Sequence, residues 1–157
     1  MANETKQVFG SETTAITLTA TVADAVNTLA GTNATISTVD NSTTLYPLAK
    51  AVLNLPDTFS AAPTAGSVIE LYMQEVDMDG TTDEAPLIVG TGDIIYRAKL
   101  VGVFVVDNDD VAYTKGIVIS MEGVKKALFH LRNMTGVTLS FSAGGTLKVT
   151  PFTYGPS

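Results

Sequence analysis

Short stretches in which apolar and polar residues alternate recur along the chain, and turn-forming residues separate them. In residues 67–76 the apolar side chains Ile69, Leu71 and Met73 occupy every second position, with Glu70 between two of them. A period of two is typical of a half-buried strand. About eight or nine such stretches follow one another at regular spacing, which predicts an all-β chain folded as an antiparallel β-sandwich, with a jelly roll as the best single architecture.

The pattern divides the chain into a short arm and one domain. Residues 1–12 are polar and predict a flexible N-terminal arm, whereas residues 13–157 predict a single β-sandwich domain. No internal repeat or linker interrupts the second range. A chain of 157 residues without cysteine is long enough to bury a core without disulfides.

Several local patterns make sharper predictions. Residues 97–107 (RAKLVGVFVVD) are the most apolar strand candidate and predict a largely buried strand. Residues 23–31 predict one or two helical turns. Pro47 and Pro56 flank an extended stretch and argue for an edge position or a strand start. Residues 40–42 (Asp-Asn-Ser) predict a turn in which side chains bond their own backbone.

The charge balance restricts the partners. Nine basic and sixteen acidic residues give a net charge of −7, which argues against nucleic-acid binding. The sequence has neither a signal-peptide pattern nor eighteen consecutive apolar residues, so we expect synthesis in the cytoplasm and no membrane association. Charged residues make up only 16% of the chain, which favours a protein that packs against copies of itself or a larger assembly.

The sequence offers little for catalysis. His130 is its one imidazole, and strand alternation places it with Lys126 and Arg132 on a polar face, where an exposed, non-catalytic histidine is expected. Hydrolase, zinc-protease and NTPase motifs are absent. We therefore predict that the protein is not an enzyme, with no catalytic residues and no cofactor.

Carboxylates crowd the stretch from residue 75 to residue 84. Their oxygens could serve as ligands for Ca²⁺, although the spacing is not that of an EF-hand. The interpretation that we favour is an exposed connection whose charges discourage edge-to-edge pairing. The four residues of the alternative Ca²⁺ loop are Asp77, Asp79, Asp83 and Glu84.

Five tyrosines lie in or near the predicted strands. They could form a stripe that recognises carbohydrate, although the chain has no tryptophan for stacking on sugars, or they could be rim and core residues, which we favour. They are Tyr46, Tyr72, Tyr96, Tyr113 and Tyr154.

The order of four segments resembles the jelly-roll capsid decoration, or cement, proteins of tailed bacteriophages. Two segments lead into predicted strands, one lies in the carboxylate-rich stretch of residues 75–84, and the last combines two strand regions. They are residues 40–46 (DNSTTLY), residues 63–66 (PTAG) before residues 69–73 (IELYM), residues 79–81 (DGT), and residues 126–136 (KALFHLRNMTG) followed by residues 145–152 (GTLKVTPF).

The resemblance implies a structural role without enzyme activity. Proteins of this kind bind the outside of the assembled head and brace the shell, often as trimers. It implies that the major capsid protein of the same virion is the partner, that the chain forms a homo-oligomer with a trimer favoured, and that the protein lies on the capsid exterior. A tail or neck component with the same fold, and a carbohydrate-binding β-sandwich, are the alternatives.

Overall fold

The computed structural model describes residues 5–28, 33–56, 59–76, 98–107, 109, 111–139 and 144–156. Within these ranges the chain forms ten β-strands and no helix, so the predicted all-β class is confirmed, with slightly more strands than expected. No described helix could cross a membrane. The strands are β1 (Thr5–Phe9), β2 (Thr13–Leu18), β3 (Ala34–Ile36), β4 (Val39–Asp40), β5 (Leu48–Leu55), β6 (Val68–Val76), β7 (Lys99–Val105), β8 (Tyr113–Ser120), β9 (Lys126–Met134) and β10 (Thr146–Pro156).

The strands form two antiparallel sheets that make a sandwich. One sheet has the order β3-β2-β10-β5-β8, and β1 adds to it by pairing with the far end of β10. The other has the order β4-β9-β6-β7. Because most neighbours within a sheet are distant in sequence, the fold depends on long-range pairing.

The core lies between the sheets and follows from the alternation in the strands. In β5, Ala51 and Leu53 are buried while Lys50 and Asn54 are exposed. β6 supplies Ile69, Leu71 and Met73 as expected, and the largest fully buried side chains are aliphatic or phenylalanine. They include Phe104, Phe129, Phe152, Leu131 and Leu147.

The prediction that residues 97–107 form a largely buried strand is wrong. This stretch supplies β7, which is the last strand of the four-stranded sheet, and Leu100, Val103 and Val105 are exposed. Of the side chains in β7, Phe104 alone is fully buried. An apolar run predicts a strand covered on both faces, whereas several apolar side chains of β7 keep more than a third of their surface exposed.

Two other local predictions are corrected. No helix forms over residues 23–28, because this segment instead runs beside β9, with Asn27 bridged to Arg132; the rest of the predicted helix lies outside the described residues. β5 is not an edge strand, since β10 and β8 pair with it on either side. Pro47 precedes its first residue, which agrees with the strand-start alternative.

We expect Phe129→Ala to lower the free energy of unfolding by about 3 to 5 kcal/mol, because it removes a fully buried ring from the core. Lys126→Ala, on the same strand but half-exposed, should be close to neutral. Urea denaturation of both variants measures this. Equal losses in the two variants would contradict the packing described for β9.

Candidate functional site

The two ends of the described chain form a β-ribbon at one end of the sandwich. β1 pairs with β10 from Thr5 opposite Pro156 to Phe9 opposite Phe152. The pairing of β10 with β5 stops at Phe152, so beyond this residue β10 has only β1 beside it among the described strands. Every residue of β1 is exposed. We call β1 and residues 152–156 the terminal ribbon.

Aromatic side chains line one face of the terminal ribbon. The Phe9 and Phe152 ring centroids are 5.6 Å apart, and Tyr154 meets Phe152 edge-on at the same distance. Phe152 is buried, but Phe9 and Tyr154 are 51% and 55% exposed. Rings that are held by contacts with another ring and are still exposed are suited to an interface, because they lose little side-chain freedom on binding.

An open cleft of about 530 Å³ lies beside the terminal ribbon. Its wall combines two aromatic rings with a carboxylate and several hydroxyls, and none of the lining residues is basic. Such a volume is within the usual range for ligand sites. The lining residues are Phe9, Gly10, Ser11, Asp40, Thr43, Thr44, Tyr46 and Pro151.

The turn that forms one wall of the cleft is held by a buried asparagine. The side-chain amide of Asn41 donates to the carbonyls of Tyr46 and Val124, at 3.0 and 3.1 Å. Its oxygen accepts from the Thr44 hydroxyl and the Tyr46 amide, both at 3.0 Å. This network holds Leu45 at a φ of 48°, which is uncommon for a bulky residue, with its side chain exposed. The cleft wall is therefore preformed.

Asp40 begins the same turn. Its carboxylate accepts from the backbone amide of Ser42 at 2.8 Å and from the Ser42 hydroxyl at 2.6 Å, as the Asp-Asn-Ser pattern predicts. These bonds lower the pKa of Asp40, with a smaller contribution from Lys126 on β9. The carboxylate therefore remains ionised at neutral pH.

We expect Asn41→Ala to destabilise the fold by about 3 kcal/mol, because it leaves buried carbonyl and amide groups of the turn without partners. The matched control is Asn54→Ala, which removes an exposed amide bonded to the Thr114 hydroxyl and should cost little. Thermal and urea unfolding compare the two variants. A near-neutral Asn41→Ala would show that the turn does not depend on this side chain.

The prediction of an exposed His130 is wrong. His130 is completely buried on β9, and its ring nitrogens make no well-aligned hydrogen bond within the described part of the chain, the interaction with the Thr28 backbone being a weak one. Burial lowers the pKa of His130 to about 4, and the backbone of Thr28 opposes this shift more weakly. The alternation failed because both faces of β9 are covered in its middle: Leu128, Phe129 and Leu131 are also buried. Within the described residues its ring nitrogens bond to no hydroxyl or carboxylate, as the imidazole of a general base would do.

His130 should make the protein less stable in acid. The unfolded chain takes up the proton near pH 6.5 and the folded chain only near pH 4, so this contribution to stability is complete above about pH 6.5 and is lost as the pH falls toward 4. The loss corresponds to about 3 kcal/mol. Urea denaturation of wild type and His130→Leu between these pH values should show a steeper decline for wild type.

His130→Gln provides a second, polar variant that also lacks the titration, so the result does not depend on how leucine packs. Parallel declines in wild type and both variants would contradict a proton taken up on unfolding at this residue.

The remaining sequence-based candidates do not converge on one site. The alternative Ca²⁺ ligands Asp77, Asp79, Asp83 and Glu84 lie outside the described residues, as does Tyr96, and elsewhere in the described chain no group of three acidic or histidine side chains could hold a metal. Tyr72 is buried and Tyr113 half-buried, so these tyrosines form no common stripe with Tyr154.

Three of the four asparagines that begin an Asn-x-Ser/Thr glycosylation pattern have a structural role. Asn33, Asn41 and Asn133 are all buried. The amide of Asn133 donates to the carbonyls of Val22 and Val137 at 2.9 and 2.7 Å, and its oxygen accepts from Thr135. Sequence reasoning overlooked their role, although a Ser or Thr two residues after Asn also suits a local side-chain network.

Phe9 was also not predicted from the sequence as a residue of the candidate site. It lies in a segment that reads as a polar arm, and its partner in β10 is far away in the sequence. The one local signal is the apolar pair Val8-Phe9 within that segment.

Comparison of the sequence with protein-family models gives no match, and comparison with curated proteins gives no significant match. The functional argument therefore depends on the residues themselves.

Proposed function

We propose that the protein is a structural component of a bacteriophage virion, a head decoration or cement protein that binds the outer capsid surface and stabilises the shell. The observation that carries the proposal is the terminal ribbon. It extends β10 beyond its pairing with β5, it is exposed at every residue of β1, and it presents Phe9 and Tyr154. A paired extension with exposed rings is the kind of element that attaches one protein to a neighbouring surface.

The resemblance to decoration proteins supports the same conclusion. Residues 40–46, which carry part of the likeness, form the turn beside the cleft, and residues 145–152 lead along β10 into the terminal ribbon. Two of the four resembling segments thus build the candidate site. The partner in this proposal is the major capsid protein of the same virion.

Composition and charge fit a place on the capsid exterior. A net charge of −7 repels packaged DNA, so a protein with this charge is better placed outside the shell than within it. Copies that are joined to one another also remain bound to the capsid lattice even where each single contact is weak, because multivalent attachment raises the effective concentration of the binding partners. The proposal requires no catalytic residue and no cofactor.

A carbohydrate-binding module is the second candidate, and the cleft is what favours it. Phe9 and Tyr46 provide ring surfaces, while Asp40 and Thr43 provide polar groups that can bond sugar hydroxyls. A tail or neck component would use the same terminal ribbon on a different part of the particle. Localising the protein in the virion separates this alternative from a head protein.

We expect purified protein to co-sediment with expanded empty capsids of the parent phage, and mass spectrometry to find it in virions. Phe9→Ala should weaken capsid binding at least about tenfold, which corresponds to 1.4 kcal/mol, because it removes a half-exposed ring of the terminal ribbon. The control is Val111→Ala, in the connection between β7 and β8, where the side chain is 56% exposed.

Failure of the wild type to bind capsids, together with its absence from virions, would overturn the proposal. Binding to a glycan array would favour the carbohydrate-binding module instead, provided that free sugar inhibits this binding and that Phe9→Ala abolishes it.

A further inference from the structure

The cleft beside the terminal ribbon lies between two walls that meet at Gly10. One wall is the end of β1, which contributes Phe9, and the other is the turn held by Asn41, which contributes Tyr46. A Cβ added at Gly10 would lie 3.4 Å from Cε2 of the Tyr46 ring, so this ring lies directly beside Gly10. The Gly10 amide donates to the Pro151 carbonyl at 2.7 Å. The two walls are therefore in contact with each other and joined to β10.

The cleft lining carries one formal charge, which is negative. Among the eight lining residues Asp40 alone is charged at neutral pH. Ser42 donates its amide and its hydroxyl to the same carboxylate oxygen of Asp40, Oδ1, so neither of these bonds uses Oδ2. The carboxylate can thus accept from a ligand through Oδ2 without giving up the bonds that hold the turn.

A positive charge lies close to this carboxylate but outside the lining. Lys126 is opposite Asp40 in the pairing of β4 with β9. The bonds from Ser42 have the largest effect in lowering the pKa of Asp40, and the Lys126 ammonium has the smallest. Lys126 therefore weakens the attraction of Asp40 for a second cation without occupying the cleft.

A carboxylate beside two aromatic rings suits a guanidinium group. The face of an aromatic ring attracts a positive charge, and a carboxylate attracts it as well. Arginine can use both groups at once, because its planar guanidinium directs N–H groups at a carboxylate while its flat face lies on a ring. The ammonium of lysine is a compact charge without such a face. The hydroxyls of Ser11 and Thr43 provide further acceptors for N–H groups.

We propose that the cleft binds an arginine side chain of a partner protein, with the guanidinium bonded to Oδ2 of Asp40 and packed against the rings of Phe9 and Tyr46. The chain carries a net charge of −7, so a basic group is attracted from a distance as well as within the cleft. The Asn41 network holds the turn before the ligand arrives, so binding requires little ordering of this wall.

In the proposed function the arginine belongs to the capsid protein, because the cleft adjoins the terminal ribbon, and to that extent the inference rests on the proposed function. Binding of a free arginine derivative is measured with the purified protein alone. A protein that binds capsids but not the derivative would overturn the inference and leave the proposed function standing. A protein that binds the derivative but not capsids would support the site and count against the capsid.

The test is an NMR titration of the full chain with Nα-acetyl-arginine methylamide up to about 50 mM, a range chosen because exposed ion pairs and cation–π contacts are each weak. We expect saturable shifts of the backbone amides that line the cleft. The citrulline derivative has nearly the same shape without the charge and should bind at least about tenfold more weakly, and the lysine derivative about threefold more weakly.

Three variants connect the binding to the cleft. Asp40→Asn removes the charge but keeps an oxygen for the bonds from Ser42, and should weaken binding at least about tenfold. Phe9→Leu replaces a ring that is 51% exposed with an aliphatic side chain, so it should fold normally and weaken binding about threefold. Lys126→Ala removes the competing charge and should strengthen binding about twofold.

The matched control is Asp109→Asn. Asp109 is exposed in the connection between β7 and β8 and does not line the cleft, so this variant makes the same charge change elsewhere and should bind like wild type. Three results would each overturn the proposal: no saturable shifts with wild type, equal binding of the citrulline derivative, or equal weakening by Asp109→Asn and Asp40→Asn.

Discussion

The backbone pairing of β10 is the interaction on which the rest of the structure depends. This strand lies between β2 and β5 along its first half and pairs with β1 along its second. It therefore joins early and middle segments of the chain into one sheet and also supports the terminal ribbon. Without β10 the inner face of this sheet would lose Leu147 and Val149, and β1 would have no strand beside it.

Buried asparagines provide a second level of organisation, because they fasten connections that the sheets do not hold. Asn41 closes the turn before β5 and links it to Val124, while Asn133 links the end of β9 to Val22 and Val137. Each amide uses both its donors and its acceptor, so its burial is compensated. The cleft thus lies beside a turn that is held by internal hydrogen bonds and takes its shape from the fold.

Alternation in the sequence was sufficient to predict the fold class and several strands. β5 has one face on the core and one more exposed face, so a period of two describes it well, whereas β6 follows this pattern only as far as Leu71, since Tyr72 and Gln74 are buried as well. Alternation failed for His130, since the middle of β9 is covered on both sides. The apolar run failed for β7, most of whose side chains are exposed or half-exposed. Periodicity shows which side chains lie on opposite faces of a strand, but it does not show whether another part of the protein covers each face.

Most of the candidate site could not be predicted from the sequence. The Asp40 turn was predictable because its bonds are local. The terminal ribbon was not, since the strand that pairs with Phe9 lies at the other end of the chain. Residues 23–28 likewise follow the bridge from Asn27 to β9, next to the bridge between Val22 and Leu139, rather than their own helical tendency. Long-range pairing decides the structure wherever local preference is weak.

The burial of the three asparagines also governs how the protein can be produced. In a eukaryotic secretory pathway, sugar is attached to Asn-x-Ser/Thr sequences while the chain is still unfolded and these positions are accessible. A glycan on Asn41 or Asn133 would occupy an amide that must later donate two internal hydrogen bonds. The chain is therefore suited to synthesis in a compartment without glycosylation, and display on a yeast or mammalian cell surface would require sugar attachment at these positions to be prevented without loss of the bonds that Thr135 makes to Asn133.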